Sequence, residues 1–342
     1  MSLLPASTWR DNWRHLSVAL RGALGGARQH AGVQLLDPYD PDKRPLILLH
    51  GLFSSPMIWA RLAAAVQADD ALRARFQVWQ VLHHTNVPMI VARRRVQDYL
   101  DNTWRLLDPQ HRHAARKGLV LVGHSFGGVV ARLLCVDSGT RLWDAAFVSP
   151  PERVAGDRAD IRSMQGSYIF NAYPGISHAI FLAAPHRGSP RANDLLGNLA
   201  RRIVGHRTPE ARRLRRVANA DPTAVQPALR AVYRRGWVNS ITSMVAEQPV
   251  RLASEALMPR AGIVYHTIAG EIPGRVPRTD GAVPVDSAVI DGAASTLILD
   301  CGHQMYNDPR AVEEVLRILR EIVAKEATGN GGFHASQATQ KR

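Results

Sequence analysis

An α/β fold is predicted: a mostly parallel, doubly wound sheet with helices on both faces and a helical cap insertion. Three features of the sequence point to it. Short, near-continuous runs of β-branched and aliphatic residues recur, as in strands buried on both faces. Longer segments with apolar residues at helical spacing separate them, and strand–helix–strand repetition calls for a parallel sheet covered on both sides. One stretch, 188–260, breaks the alternation: it is helix-rich and arginine-rich, lacks good strands, and falls between two candidate strands.

The elements follow in order. Residues 1–35 read as an N-terminal helical extension, with Trp9, Trp13, Leu16, Leu20 and Leu24 at helical spacing and Arg10, Arg14, Arg21 and Arg28 to one side. Such a helix packs on its own protein or lies in a membrane interface. Candidate strands span 45–50, 76–82, 119–123, 179–183, 263–269 and 295–299, with helical patterns around 57–66, 92–107 and 128–137. Asp308 before Pro309 forms an N-cap and first helical position for a closing helix to about residue 324. The core is thus expected at 36–187 and 261–326, the cap over the strand ends at 188–260, and a polar, Gly-rich disordered tail at 327–342.

Bulk properties bound the function. The 342 residues are 46% hydrophobic and 21% charged, ordinary for a globular protein. No stretch approaches the roughly 20 apolar residues of a membrane span, and no signal-peptide pattern opens the chain. Two cysteines, Cys135 and Cys301, suggest no disulfide framework. A cytoplasmic location is therefore expected. The net charge of +14 comes mostly from arginine, densest in 201–216 and 230–235. No zinc-finger, RNP-like or basic-zipper pattern accompanies it, so nucleic acid is not an expected partner. A solvated basic face, with weak attraction to anionic membrane surfaces, is the expectation. The sequence leaves the oligomeric state open.

The chemistry concentrates at Gly123-His124-Ser125-Phe126-Gly127-Gly128. This satisfies G-x-S-x-G, with an apolar strand running into it and a helical pattern leaving it, as a nucleophile elbow requires. Gly123 and Gly127 leave room for strand and helix to pack around a strained Ser125, and His124 is expected to support the elbow with them. A serine hydroxyl needs a base. His303, just beyond the last strand in Asp300-Cys301-Gly302-His303, is the expected one. His83 and His84 follow an early strand, and His186 precedes the acid in the chain; all three fit worse. Asp280, in Arg278-Thr279-Asp280-Gly281, lies after the penultimate strand and is the expected acid, with Asp286 and Glu271 as alternatives. His50-Gly51-Leu52 follows the first core strand. The backbone N–H groups of Leu52 and Phe126 are expected to form the oxyanion hole, with His50 and Gly51 supporting the loop.

These motifs give the chain a family resemblance. The stretches LLHGLFSSPMIW, LVGHSFGGVVARLL, FLAAPHRGSP, TDGAVPVDSA and the GH of CGHQ, spread over about residues 45–320, resemble the esterase- and lipase-like α/β-hydrolases of the PGAP1-like and DUF676 groups. The resemblance implies an α/β-hydrolase fold and a Ser-His-Asp esterase or lipase acting through an acyl-enzyme, with no metal or organic cofactor. It implies that Pro185, His186 and Gly188 shape the cleft, and it supports Asp280 through the T-D-G-x-V-P segment. The substrate is then a small-molecule or lipid ester. A phospholipase or lipid deacylase at membrane surfaces is the nearest alternative, and a catalytically silent hydrolase-fold binding module the alternative of another class.

Overall fold

The computed structural model describes residues 31–189 and 208–337, and side chains as far as 326. The apolar helical spacing at 9–24, the cap residues 190–207 and the last five residues lie outside it. Seven strands form one sheet: β1 (Gly32–Leu35), β2 (Arg44–Leu49), β3 (Phe76–Leu82), β4 (Leu119–His124), β5 (Ile176–Leu182), β6 (Val264–Gly270) and β7 (Ser295–Leu299), in the order β1-β3-β2-β4-β5-β6-β7. All neighbours are parallel except β1, which runs antiparallel to β3 with Gly32 opposite Leu82.

Six of the strands coincide within a few residues with apolar runs in the sequence. β1 does not: it falls inside the stretch whose helical periodicity assigns it to an extension. Four residues long and only partly buried, it offers no run to detect. β7 is also less buried than its apolar sequence suggests, since an edge strand alternates between covered and open faces.

The helices are α1 (Ala60–Ala68), α2 (Asp70–Arg75), α3 (Met89–Leu107), α4 (Phe126–Leu134), α5 (Arg141–Ala146), α6 (Arg158–Tyr168), α7 (Pro209–Ala220), α8 (Pro227–Arg235), α9 (Ser240–Ser243), α10 (Pro249–Glu255), α11 (Val285–Ala288) and α12 (Pro309–Gln337). Strand side chains alternate between the faces. Ile47, Leu49, Leu121 and Phe181 pack against α3 and α4, whereas Leu48, Val122, Ile180 and Leu182 pack against α1, α2 and α12. Asp308 caps α12, its Oδ1 accepting the Arg310 N–H at 2.9 Å. The α12 backbone stays helical to Gln337, so much of the Gly-rich segment expected as a loose tail continues an established helix, where each added residue gains a hydrogen bond at little further cost.

Helices α7 to α10 lie between β5 and β6, and among the described residues this insertion contains no strand. The connection between β4 and β5 joins it, although the sequence places that connection in the core. Asp160 on α6 receives Arg216 of α7 through two bonds of 2.6 and 2.7 Å, and the Tyr168 and Tyr233 hydroxyls meet at 3.0 Å. Leu214, Val217, Leu229 and Tyr233 merge with the apolar cluster on the α3–α4 face. The insertion and the β4–β5 connection therefore pack together and share the core.

Candidate active site

β4 enters the elbow at Gly123 and α4 leaves it at Phe126. Between them Ser125 sits at φ 54°, ψ −124°, a conformation that costs a non-glycine residue of order 1–3 kcal/mol. The surroundings hold it there. The Ser125 N–H donates to the Leu182 carbonyl of β5 at 2.9 Å, and the Ser125 carbonyl accepts the Gly128 N–H at 2.9 Å. Glycine is obligatory on both flanks: a Cβ at Gly123 would lie 2.5 Å from the Gly127 carbonyl oxygen, and one at Gly127 would lie 2.2 Å from the Leu49 carbonyl oxygen. Gly128 is constrained too, since a Cβ there would lie 2.5 Å from the Ala184 Cβ, a requirement the five-residue motif does not contain.

His303 and Asp280 arrive from the loops after β7 and β6. The Ser125 hydroxyl and His303 Nε2 are 2.9 Å apart, and His303 Nδ1 lies 2.7 Å from Asp280 Oδ2. The other oxygen of Asp280 accepts the Ala282 and Val283 N–H groups at 2.8 and 2.7 Å. The carboxylate is buried while the imidazole is about a quarter exposed, so the relay runs from the interior to the mouth of the site. Neither alternative acid bonds His303: Glu271 pairs with Arg278, and Asp286 lies in the first turn of α11. Gly270 lets the two loops close together, because a Cβ there would lie 2.8 Å from both the Asp280 Cβ and the Cys301 carbonyl oxygen. Its only mark in the sequence is its place at a strand end.

His124 supports His303 from below. Its Nε2–H donates to the His303 carbonyl at 2.8 Å, and burial, reinforced by the neighbouring His303, pushes its imidazole down to about 3. It is therefore a neutral donor at neutral pH. Gly51 runs directly over Ser125, a Cβ there coming within 3.0 Å of the Ser125 Cβ. The next residue, Leu52, and the first residue of α4, Phe126, have backbone N–H groups without an acceptor among the described residues. The Phe126 amide also opens a helix, whose N-terminal dipole favours negative charge.

The Pro185-His186-Arg187-Gly188 segment, which the resemblance implies shapes the cleft, follows β5. It is clamped onto the loop carrying Asp280: the His186 N–H donates to the Ser287 carbonyl at 2.9 Å, the Ser287 hydroxyl to the Gly188 carbonyl at 2.5 Å, and the Ser189 hydroxyl to the Ala282 carbonyl at 2.6 Å. His186 is buried beside the Phe181 ring, and burial holds its imidazole well below the usual histidine range. Neither ring nitrogen has a protein partner among the described residues, so it is not placed as a base. Gly188, at φ 83°, leaves room for the Met244 carbonyl of the cap. Among the described residues no group of three or more His, Cys, Asp or Glu side chains converges as a metal site would require.

The sequence profile described as the alpha/beta hydrolase family matches residues 46–318. A search of curated proteins finds no match. Among solved structures, the mature lipase BlEst2 of Bacillus licheniformis is similar at 16% identity and a TM-score of 0.45, over 86% of this chain and 99% of that one. The esterase RhEst1 from Rhodococcus sp. ECU1013 is similar at 14% identity and a TM-score of 0.39, over 84% and 94% of the two chains. A structure from work on carboxylesterases of Nitrososphaera gargenis matches at 14% identity and a TM-score of 0.40, over 89% and 99%.

Proposed function

The chain belongs to the alpha/beta hydrolase family and has its fold, and from that premise we propose that it is a serine hydrolase of carboxylic esters. The observation that carries this reading is the continuous hydrogen-bonded relay from the Ser125 hydroxyl through His303 to a buried Asp280. In the proposed reaction Ser125 Oγ attacks the ester carbonyl carbon while His303 Nε2 takes its proton. The Leu52 and Phe126 N–H groups hold the oxyanion, and Asp280 stabilises the imidazolium. Collapse of the tetrahedral intermediate expels the alcohol, protonated by His303, and leaves Ser125 acylated. Water, deprotonated by the same imidazole, then releases the acid.

A cavity of about 350 Å³ under the cap supports esters with an extended apolar acyl part. Met89, Met164, Leu214, Leu229, Val232 and Val250 are among its walls, and its volume lies within the range of small-molecule sites. The Met89 N–H donates to Ser243 Oγ at 3.2 Å across its lining, and none of Ser125, Asp280 and His303 is among its walls. Within the family we assign the chain to the PGAP1-like and DUF676 lipase-like group, because its AAPHRGS and TDGAVP segments interlock around the acid. No helix among the described residues is long and apolar enough to cross a membrane.

Ser125→Ala tests the assignment. It is expected to abolish turnover of p-nitrophenyl esters and labelling by a fluorophosphonate while the protein remains folded. Undiminished turnover by the folded variant overturns the reading, and a wild-type protein that neither labels nor turns over would favour a silent binding module.

A further inference from the structure

A second buried histidine lies beside the oxyanion loop, and the proposed chemistry does not use it. His83 follows β3 and is 3% exposed. β2 and β3 run parallel with Leu49 opposite Val81, so His50 and His83 leave adjacent strands side by side. Their rings stack with centroids 4.4 Å and planes 29° apart. The His83 ring also lies nearly parallel to that of Phe126, at 6.3 Å and 25°.

Three hydrogen bonds define the arrangement and assign both tautomers. His50 Nδ1–H donates to the Gly51 carbonyl at 3.0 Å. His50 Nε2 then accepts, and it takes the backbone N–H of His83 at 3.4 Å. His83 Nε2–H donates to the His50 carbonyl at 3.1 Å. Burial, with His50 beside it, pushes the His83 imidazole down to about 3, and burial also lowers His50. Both rings are neutral at neutral pH, as this pattern of donors and acceptors requires.

The peptide joining Gly51 to Leu52 is trans, so the Gly51 carbonyl and the Leu52 N–H point in opposite directions. Holding that carbonyl on one side aims the amide to the other. His50 holds it directly, while His83 holds His50 by stacking, by its own N–H and through the His50 carbonyl. We propose that His83 is a positioning residue which, through His50, fixes the direction of the Leu52 amide and so the strength of the oxyanion hole. This rests on the reading of Ser125 as nucleophile and Leu52 as donor.

The test compares a p-nitrophenyl butyrate with its thionoester, in which sulfur replaces the carbonyl oxygen. Sulfur is the larger and weaker acceptor, so well-aimed amides favour the oxygen ester. His83→Phe keeps the stacked ring and removes the donor. It is expected to lower kcat on the oxygen ester about tenfold or more, a fraction of what losing a whole donor costs, with KM within about twofold and a reduced oxygen-over-sulfur preference. His83→Gln, whose amide nitrogen matches the reach of Nε2, is expected to restore part of both. Should His83→Phe not fold, His83→Asn, whose amide reaches only the Nδ1 position, is expected to show the same reduced preference. An unchanged kcat in the folded Phe variant, or equal losses on both esters, overturns the proposal. Ser125→Ala that still turns over either ester overturns the underlying reading instead, whichever way His83 behaves.

Discussion

Asp280 meets two demands with its two oxygens. Oδ1 takes two loop amides and Oδ2 takes His303, so the same carboxylate folds its own loop and orients the His303 imidazole. Asp280→Asn separates these functions. An amide that keeps its oxygen toward Ala282 and Val283 must turn its NH₂ toward His303 Nδ1. The imidazole then adopts the tautomer with Nε2–H, which cannot accept the serine proton. The expected outcome is a fall in kcat of about 10⁴ with the fold retained, as when a triad acid becomes its amide. Steady-state kinetics beside circular dichroism checks it. Ser125, Asp280 and His303 were legible as candidates because each stands at a strand end in a local pattern. The work of His83 and His124 was not, since a histidine after a strand looks the same whether it clamps a loop, supports a carbonyl or only fills space.

At the scale of elements, close approach explains the elbow. α4 passes β2 with the Gly127 Cα so near the Leu49 and His50 carbonyls that a methyl group has no place to go. Gly127→Ala must push the helix off the sheet or bend the strand. It is expected to cost about 1–3 kcal/mol, the usual scale of overpacking, and to lower activity more than stability because Ser125 and Phe126 ride on the displaced turn. Urea unfolding measured with kcat checks both parts. The G-x-S-x-G pattern announces this packing, whereas the parallel requirements at Gly128 and Gly270 come from contacts with Ala184 and Cys301, distant in sequence. β1 was hidden for a related reason: a four-residue edge strand takes its stability from pairing with β3, and its own residues carry little of the signal.

The whole molecule buries several imidazoles in neutral form, and this couples stability to pH. His83 and His124 are both nearly fully buried, and burial pushes both down to about 3. Their folded values lie below the unfolded value near 6.5, so between these limits the unfolded chain binds protons that the native protein does not. Stability therefore rises with pH through this window and falls as pH drops below 6.5, each histidine approaching about 1.4 kcal/mol per pH unit. Melting temperatures are expected to decline from pH 7 to pH 5, and less steeply in His124→Gln. The cavity under the cap gives a second prediction at this scale. Val232→Trp fills it and is expected to suppress turnover of p-nitrophenyl octanoate and longer esters by tenfold or more, while acetate turnover stays within about twofold. A C2–C16 series measures this, and an even loss across the series would show that the acyl chain lies elsewhere.

By itself the sequence determined the alternation that makes the sheet, the strand–turn–helix that presents Ser125, and the order Ser125, Asp280, His303. These are local: periodicity, glycines and strand ends act over a few residues, and chain connectivity then directs the loops to the same edge of a parallel sheet. Only the tertiary structure decided which acid meets His303, how the AAPHRGS segment braces that acid, and how His50 and His83 interlock. It also joined the β4–β5 connection to the cap. Each of these depends on groups far apart in the chain converging to within hydrogen-bond distance. Such convergence is fixed by how the packed layers bring strand ends and helices together, and no single stretch of sequence encodes it.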